Sequence, residues 1–313
     1  MPGETLPLVT AITPAYNRAD LLAETIDSVL NQTYPHVEYI VLDDGSTDHT
    51  LDVLRGYDGR LRWETHPNMG EARTVNRGFA LAQGEYVVVV NSDDPIMPNM
   101  IATLVAYMEQ HPEVLVVYPD WIEIDLQSQP FNTVRAADYD YRGMVRWMAC
   151  LPGPGALIRR RALALAGGRS TDYRYVTDLE FWLRVGLHGP LAHVPLPLAT
   201  HRHHAASAGV QHKAVQGAEI VAMAEAFFQR DDLPPDIAAL RAEALSAAHY
   251  TAALRTRGSR RLVLMHSWAS LRLCPRRWLW DTRFRPSILL YVLLPDWIYE
   301  QIQKKYRQSR FRV

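Results

Sequence analysis

The sequence is poor in cysteine and has almost no net charge. Only two of its 313 residues are cysteines, Cys150 and Cys274, which fit neither a disulfide framework nor a zinc site. This scarcity predicts a reducing, cytoplasmic setting. The formal net charge is -1, so no overall field favours nucleic acid, and we expect none as a partner.

Signals for export and for membrane insertion are also missing. The first residues contain no basic region followed by a cleavable apolar core, so the sequence predicts no secretory signal. The longest apolar run late in the chain, residues 288–294, is far shorter than the roughly 20 residues that a spanning helix requires. We therefore expect no transmembrane helix.

The last residues of the sequence form a basic, aromatic tail. Residues 255–313 carry 14 Lys or Arg and 3 Asp or Glu, a net charge of +11, so the remainder carries -12. Aromatic residues are interleaved with these cations, at Trp278, Trp280, Phe284, Tyr291, Trp297, Tyr299 and Tyr306. Such a composition suits peripheral contact with the inner face of the cell membrane. It also suits a homodimer or another protein interface, so both alternatives stay open.

Short β-rich runs alternate with helical patterns from residue 6 to residue 109. Residues 86–90 are typical of a buried strand, whereas 71–81 and 100–110 have helical spacing. This alternation predicts an α/β fold with a mostly parallel, Rossmann-like sheet flanked by helices. We predict this domain over residues 1–210 and an all-helical C-terminal region over residues 211–313.

The later segments carry weaker signals. Residues 120–141 lack clear periodicity and are expected to form loops and edge strands, and a strand is predicted over residues 196–200. Helices are predicted over residues 159–166, 178–187, 214–230, 235–256 and 259–272.

Polar residues follow three of the predicted strands, in the segments 13–17, 43–46 and 91–94. In an open parallel sheet, ligands bind beyond the carboxyl ends of the strands. The first segment lacks the G-x-G-x-x-G loop of dinucleotide-binding proteins, and no G-x-x-x-x-G-K-[ST] motif occurs. Hydride transfer and P-loop phosphoryl transfer are therefore disfavoured.

Asp93 and Asp94 are paired carboxylates directly after a buried strand. Such a pair repels itself unless a cation or donor groups compensate it, so Mg²⁺ or Mn²⁺ would fit here. The same residues could instead begin a turn into Pro95 and cap the next helix. The pair alone leaves both possibilities open.

Several segments in a fixed order resemble family 2 glycosyltransferases of the inverting, GT-A type. They are TPAYNRADLLAETIDSVLNQTYPHVEYIVLDDGSTDHT, NMGEARTVNRGFALAQGEY with VVVVNSDD, LIRRRALALAGG, TDLEFWLR and HRHHAAS. The resemblance implies a metal-dependent, hexosyltransferase-like enzyme that moves one sugar from a nucleoside-diphosphate sugar to an acceptor hydroxyl. A UDP-sugar is favoured as donor, with GDP- and dTDP-sugars possible, and Mn²⁺ or Mg²⁺ would be the cofactor.

The resemblance also implies roles for individual residues. Pro14 and Tyr16 would border the nucleotide base, and Asp44 would bind the base or the ribose. Asp93 would contact the ribose, and Asp94 would hold the metal. Further donor contacts are expected from Asn17, Asn76 and Arg202. Asn91 stands where the family often has Asp, so metal binding would rest mainly on Asp94.

Asp178 matches the catalytic base of the family, and Glu180 and Trp182 are expected near the acceptor. Thr177 replaces the Glu that commonly precedes this base. An alternative is that Asp178 only caps its helix.

The HRHH segment does not fit a zinc site, because alternate residues of an extended segment face opposite sides. The resemblance places Arg202 over the donor diphosphate and makes His204 a metal or phosphate contact, although an ordinary surface histidine is an alternative.

The implied acceptor is a glycan or a lipid-linked glycan of bacterial cell-surface polysaccharide, lipopolysaccharide or glycolipid synthesis. Because of Asn91 and Thr177, a non-catalytic protein that binds sugar nucleotides, or a scaffold of a glycan-assembly complex, is the alternative function. A nucleotidyltransferase would need a glycine-rich, basic phosphate loop near residue 13, which the sequence lacks.

Overall fold

The computed structural model describes residues 6–204 and 212–280 of the chain. These residues fall into two compact units. The first holds residues 6–144 and 149–204, and the second holds residues 145–148 and 212–280. The predicted boundary at residue 210 and the tail beyond residue 280 lie outside the described residues.

The first part of the chain alternates strands and helices. The strands are β1 (Val9–Ala15), β2 (Val37–Asp43), β3 (Arg62–Thr65), β4 (Tyr86–Val89), β5 (Val116–Ile124), β6 (Pro130–Val134), β7 (Leu157–Arg159) and β8 (Leu191–Arg202). The helices are α1 (Leu22–Leu30), α2 (Thr50–Arg55), α3 (Glu71–Leu81), α4 (Met100–Gln110), α5 (Tyr141–Trp147), α6 (Arg160–Ala166) and α7 (Thr177–Gly186).

These eight strands form one sheet, in the order β3-β2-β1-β4-β7-β5-β6, with β8 paired to β5. The pairs β1-β2, β1-β4, β2-β3 and β5-β8 are parallel. Strand β7 runs antiparallel to β4 and β5, and β6 runs antiparallel to β5. The predicted mostly parallel sheet with flanking helices is therefore confirmed.

The central strands of the sheet are buried on both faces, whereas the edge strands β3 and β6 are largely exposed. Every residue of β1 is buried. Helix α1 packs Leu22 and Ile26 against this core, and α4 packs Leu104 and Met108 against it. Burial on both faces leaves the carboxyl ends of the parallel strands as the edge where polar side chains can gather.

Two boundaries differ from the sequence-based prediction. A helix is predicted from residue 159, but Leu157–Arg159 form strand β7, and α6 begins at Arg160. The periodicity of three residues cannot separate a strand from a helix start, and pairing with both β4 and β5 decides the outcome. Strand β8 covers Leu191–Arg202 rather than residues 196–200, because it pairs along the whole of β5.

The second unit is helical throughout the part that the structure describes. Its helices are α8 (Lys213–Phe227), α9 (Pro235–Ala238), α10 (Arg241–Arg255), α11 (Arg260–Leu273) and α12 (Pro275–Trp280). The helix predicted over residues 235–256 is interrupted at residues 239–240, which form a turn. No helix among the described residues has the length and apolar character needed to cross a bilayer.

A polar seam joins α10 and α11. The Ser246 hydroxyl donates to the Ser270 carbonyl oxygen at 2.9 Å, and the Ser270 hydroxyl donates to the Ser246 carbonyl oxygen at 2.8 Å. His249 Nδ1 lies 3.0 Å from His266 Nδ1, so one nitrogen donates and the other accepts. Burial lowers the pKa of both histidines below 6.5, and the neighbouring His266 lowers that of His249 further.

Acid should weaken the folded state through this histidine pair. The folded-state pKa of each ring lies below the ordinary value of 6.5, so the unfolded chain takes up protons first as the pH falls. The pair makes its full contribution to the stability of the folded state above pH 6.5, and this contribution is lost as the pH falls below 6.5. The free energy of unfolding from urea denaturation, compared at about pH 7.5 and about pH 5.5, should fall by at most about 1.4 kcal/mol per pH unit and proton.

The variant His266→Gln should show a smaller acid loss than the wild type. His36→Gln, which removes an exposed ring, is the matched control and should keep the full loss. Equal acid losses in His266→Gln and in the wild type would contradict the assignment to this pair.

Candidate active site

The carboxyl ends of β1 and β2 meet at one edge of the sheet. The Asp44 N–H donates to the Ala15 carbonyl oxygen at 2.8 Å. Asn17 ties the two following loops together, because its N–H donates to Ser46 Oγ at 2.8 Å and its Oδ1 accepts from the Thr47 N–H at 2.8 Å. Its φ of 53° lies in the left-handed region, which Asn adopts more readily than most residues. Asn17 therefore shapes this edge.

Pro14 and Tyr16 differ in accessibility. Pro14 is buried within β1, whereas Tyr16 is 45% exposed directly after the strand. Of the two residues that were predicted to border a base, Tyr16 is the one whose ring a planar ligand can reach.

Asp44 is buried and holds the loop that precedes α3. Its Oδ1 accepts from the Met69 N–H at 2.7 Å, and its Oδ2 accepts from the Gly70 N–H at 3.0 Å. Gly45 has a φ of 73°, and a Cβ there would lie 2.7 Å from the backbone nitrogen of Asn68, so this turn requires glycine. Asp44 Oδ1 also lies 3.5 Å from His66 Nδ1, whereas Oδ2 keeps a second lone pair that a ligand could use.

Asp94 is almost fully buried, and both of its oxygens have partners. The Arg202 N–H donates to Oδ1 at 2.7 Å, and Asn91 Nδ2 donates to Oδ2 at 2.9 Å. An aspartate at position 91 would instead place a second negative charge beside this carboxylate. Asn91 therefore stabilises the buried Asp94 carboxylate by donating a hydrogen bond without adding charge. Asp94 in turn connects the end of β4 to β8.

Asp93 lies between an arginine and a histidine. Its Oδ2 is 3.3 Å from Arg18 Nε and 3.0 Å from His204 Nε2. The Asp93 side chain is more accessible than that of Asp94, at 17% against 4% exposed. The resemblance implies Asp94 and His204 as metal contacts, and the structure places His204 against Asp93.

His201 borders the two aspartates. Its Nδ1 lies 3.5 Å from Asp94 Oδ2, and its ring packs edge to face with that of His203 at 5.1 Å. The hydrogen bond to Asp94 raises the pKa of His201, burial opposes this, and the charges of Asp94, Asp93 and Glu123 raise it further. His201 thus gains a proton more readily than an ordinary histidine.

The guanidinium of Arg202 is buried completely and has four partners. Its Nη2 donates to Glu24 Oε2 at 2.6 Å, and its Nη1 donates to the Asp125 carbonyl oxygen and to Ser128 Oγ. Its Nε donates to the Asp93 carbonyl oxygen at 2.9 Å. The expected contact between Arg202 and a donor diphosphate finds no support in this geometry, which makes Arg202 a support for Asp93.

Asp178 is exposed in the first turn of α7. Its Oδ1 accepts from the Leu179 N–H at 2.7 Å, and its Oδ2 lies 3.7 Å from Cys150 Sγ. Loss of hydration and the charge of Asp178 raise the pKa of Cys150. The thiol therefore stays protonated and can donate a hydrogen bond to this carboxylate. Val176 is the N-cap residue of α7, so Asp178 does not cap the helix, and its carboxylate is accessible to a ligand.

Glu180 and Trp182 contact other residues of the first unit. Both Glu180 oxygens accept from Arg184, with Nη2 at 2.7 Å from Oε2, and the same Nη2 donates to the Gly168 carbonyl oxygen at 2.6 Å. Trp182 is buried, and its ring centroid lies 4.9 Å from that of Phe181. The ion pair of Glu180 with Arg184 stabilises the loop around Gly168. Trp182 is buried, whereas the Glu180 side chain is about as accessible as that of Asp93, and the acceptor contacts expected of both residues stay predictions.

Asn76 is paired with the backbone of Arg169. Its Nδ2 donates to the Arg169 carbonyl oxygen at 2.8 Å, and its Oδ1 accepts from the Arg169 N–H at 2.7 Å. The amide of Asn76 thus fixes the segment that leads to Asp178, and its expected donor contact stays a prediction.

The model of the family described as "Glycosyl transferase family 2" matches residues 10–164 of the chain. The uncharacterized protein MT1568 of Mycobacterium tuberculosis is 30% identical over 221 residues, which cover 64% of this chain and 69% of that protein. The chain belongs to glycosyltransferase family 2.

Other relatives match over shorter parts. Glycosyltransferase GlyG of Streptococcus pneumoniae is 35% identical over 35% of this chain, and the putative teichuronic acid biosynthesis glycosyltransferase TuaG of Bacillus subtilis is 43% identical over 28% of it. The chain spans only 38% of the length of GlyG and 36% of that of TuaG.

Solved structures share the fold of this family 2 glycosyltransferase. TarS (residues 1-349) of S. aureus in complex with UDP-GlcNAc has a TM-score of 0.67 and 18% identity, and the match covers 98% of this chain and 93% of that one. The mannosyltransferase PcManGT of Pyrobaculum calidifontis in complex with GDP-Man and Mn²⁺ has a TM-score of 0.55 and 22% identity, over 92% and 86% of the two chains.

Each aspartate of the acidic pair lies beside an imidazole that could help to hold a divalent ion. Asp93 Oδ2 is 3.0 Å from His204 Nε2, and Asp94 Oδ2 is 3.5 Å from His201 Nδ1. Asp94 also accepts from the Arg202 N–H and the Asn91 amide. Within residues 6–204 and 212–280, no three His, Cys, Asp or Glu side chains are grouped to hold a metal. Mg²⁺ in particular is often held by one or two protein groups, with water and substrate phosphates completing its shell.

Two residues beside the predicted site, Arg18 and Cys150, are not among those predicted from the sequence. Arg18 directly follows the strand-end residues Tyr16 and Asn17, and this position at the end of a predicted strand could have identified it as a site residue. Cys150 precedes Asp178 by 28 residues, so only the folded chain reveals its contact with this carboxylate.

Proposed function

We propose that this family 2 glycosyltransferase transfers one sugar from a UDP-sugar to an acceptor hydroxyl, with inversion at the anomeric carbon. The observation that carries the proposal is the contact between Asp93 and His204 at the carboxyl edge of the sheet. UDP-GlcNAc in the TarS structure and GDP-Man in the PcManGT structure support a nucleotide-sugar donor. GDP- and dTDP-sugars are the other candidates.

The nucleoside would bind between the loops that follow β1 and β2. Tyr16 offers an exposed ring on which a base can stack. Asp44 is fixed by two backbone N–H groups and can accept a further hydrogen bond from the base or the ribose. Asn17 and Pro14 would act indirectly, by holding the shape of this edge.

We assign Mn²⁺ or Mg²⁺ to Asp93 and His204, and Mn²⁺ in the PcManGT structure supports the choice of metal. When bound, the ion would offset the charge of the departing nucleoside diphosphate. Arg18 lies 3.3 Å from Asp93 and adds a permanent positive charge next to the same group. Asp94 and Arg202 hold Asp93 in place from the interior.

Asp178 is proposed as the general base. An acceptor hydroxyl is a weak nucleophile, and removal of its proton by a carboxylate as the new bond forms typically speeds such a step by about 10² to 10⁴-fold. The Cys150 thiol can orient the Asp178 carboxylate through Oδ2. Because the acceptor would attack from the face opposite the leaving diphosphate, direct displacement inverts the anomeric configuration.

The acceptor is proposed to be a glycan or a lipid-linked glycan of a bacterial cell surface. The name of TuaG, which refers to teichuronic acid biosynthesis, supports this context. The chain spans about a third of that protein, so this role rests on the shared family and not on a match over the whole length.

The donor class can be tested by thermal shift. UDP-GlcNAc, GDP-mannose and a dTDP-sugar are added in turn, with and without Mn²⁺, and we expect UDP-GlcNAc with Mn²⁺ to raise the melting temperature most. At a concentration of 100 times the Kd, a ligand stabilises the folded state by about 2.7 kcal/mol. Equal melting temperatures with and without every donor would contradict the proposal.

Hydrolysis of the bound donor separates an enzyme from the alternative function. A glycosyltransferase should release UDP slowly in the presence of Mn²⁺ when water replaces the acceptor. A protein that only binds sugar nucleotides, or a scaffold, would show the thermal shift without any release of UDP.

A further inference from the structure

The face of α11 that packs within the second unit is largely polar. His266 and Ser270 are buried there together with Val263. Both polar side chains are hydrogen-bonded to α10, His266 to His249 and Ser270 to Ser246. Hydrogen bonds, rather than a wide apolar stripe, therefore hold the inner face of this helix.

The opposite face of α11 is apolar and exposed. Leu264, Met265 and Trp268 are 50%, 52% and 62% exposed, and their spacing places them side by side on one face. Arg261 and Arg272 are exposed on the same face, one at each end of this cluster. We name these five residues the α11 stripe. Clustered large apolar side chains in solvent are typical of a binding surface.

We propose that the α11 stripe binds the surface of an anionic lipid membrane. Leu264, Met265 and Trp268 enter the boundary between headgroups and acyl chains, which Trp favours. Arg261 and Arg272 contact lipid phosphates. Residues 260–280 contain five Arg and no Asp or Glu, so the negative surface attracts this whole segment.

A second copy of the chain fits the α11 stripe less well than a membrane does. Two such helices, packed through this face in either direction, would bring Arg against Arg, because the stripe has Arg at both ends and no carboxylate. The residues beyond 280 carry seven Lys or Arg and three Asp or Glu, and this net positive charge adds to the attraction of the chain for anionic lipid.

Vesicle sedimentation of the full chain tests the proposal. The wild type should bind vesicles of phosphatidylcholine and phosphatidylglycerol in equal amounts more tightly than vesicles of phosphatidylcholine alone, and added salt should weaken this binding. Leu264→Gln and Trp268→Ser should each weaken it about tenfold, because each removes an inserted apolar side chain. Leu165→Gln is the matched control, since Leu165 is 51% exposed on α6, and should bind as the wild type does.

Three outcomes would overturn the proposal. They are the absence of binding to anionic vesicles by the wild type, equal binding by the wild type and both α11 variants, and a homodimer in size-exclusion chromatography that Trp268→Ser dissociates. The last outcome would make the stripe an interface between copies. Melting temperatures of the variants check their folding, and they should match the wild type because the replaced side chains are exposed. The experiment uses no sugar donor, so its failure would leave the proposed transfer reaction unaffected.

Discussion

The variant Asp178→Asn should transfer sugar about 10² to 10⁴-fold more slowly than the wild type while it binds the donor normally. The amide keeps the size of the carboxylate and can still accept from the Leu179 N–H, but it cannot take the proton of an acceptor hydroxyl. Since the side chain is exposed in the first turn of α7, the fold should tolerate the change. The measurements are the rate of UDP release with acceptor present and the donor-induced thermal shift.

Asp172→Asn is the matched control, because Asp172 is also exposed and precedes the same helix. It should retain the wild-type rate. A transfer rate in Asp178→Asn within about twofold of the wild type would exclude Asp178 as the general base.

Alanine substitutions at Asp93 and Asp94 should affect different properties: the first should weaken manganese-dependent donor binding, and the second should destabilise the fold. Asp93→Ala removes the carboxylate that contacts His204 and Arg18, and it should abolish the Mn²⁺-dependent part of donor binding. Its melting temperature without ligand should change little, because partly accessible ion pairs contribute at most about 1 kcal/mol.

Asp94→Ala should instead destabilise the folded state. It leaves the Arg202 N–H and the Asn91 amide without their buried acceptor, and each such loss costs about 1 to 3 kcal/mol. Urea denaturation without ligand measures this loss, and manganese titration of donor binding measures the function of the metal site. If Asp94→Ala keeps its stability but loses the manganese effect, the ion belongs on Asp94, as the family resemblance implies.

The regular elements could be predicted where the local pattern is long. Helices α3 and α4 have the predicted bounds, Glu71–Leu81 and Met100–Gln110, because each has eleven residues with apolar positions at helical spacing. Strand β7 could not be predicted, because its three residues form a strand only through pairing with β4 and β5.

The site could be predicted as a set of residues but not as a set of contacts. The strand-end motifs indicate the edge where Tyr16, Asp44 and Asp93 lie, since parallel strands bring their carboxyl ends together. The orientation of each side chain depends on partners far along the chain. His204 contacts Asp93 across 111 positions, and Arg202 reaches Glu24 across 178.

The sequence by itself determined the family, the α/β fold and the strand ends that carry the polar residues, because these follow from local periodicity and motif order. Only the tertiary structure decided which aspartate meets His204, because the pairing of β8 with β5 directs the Arg202 N–H to Asp94 and leaves Asp93 accessible. It also decided that α11 exposes Trp268, since the spacing of apolar residues marks a face but the hydrogen bonds to α10 select the face that is buried.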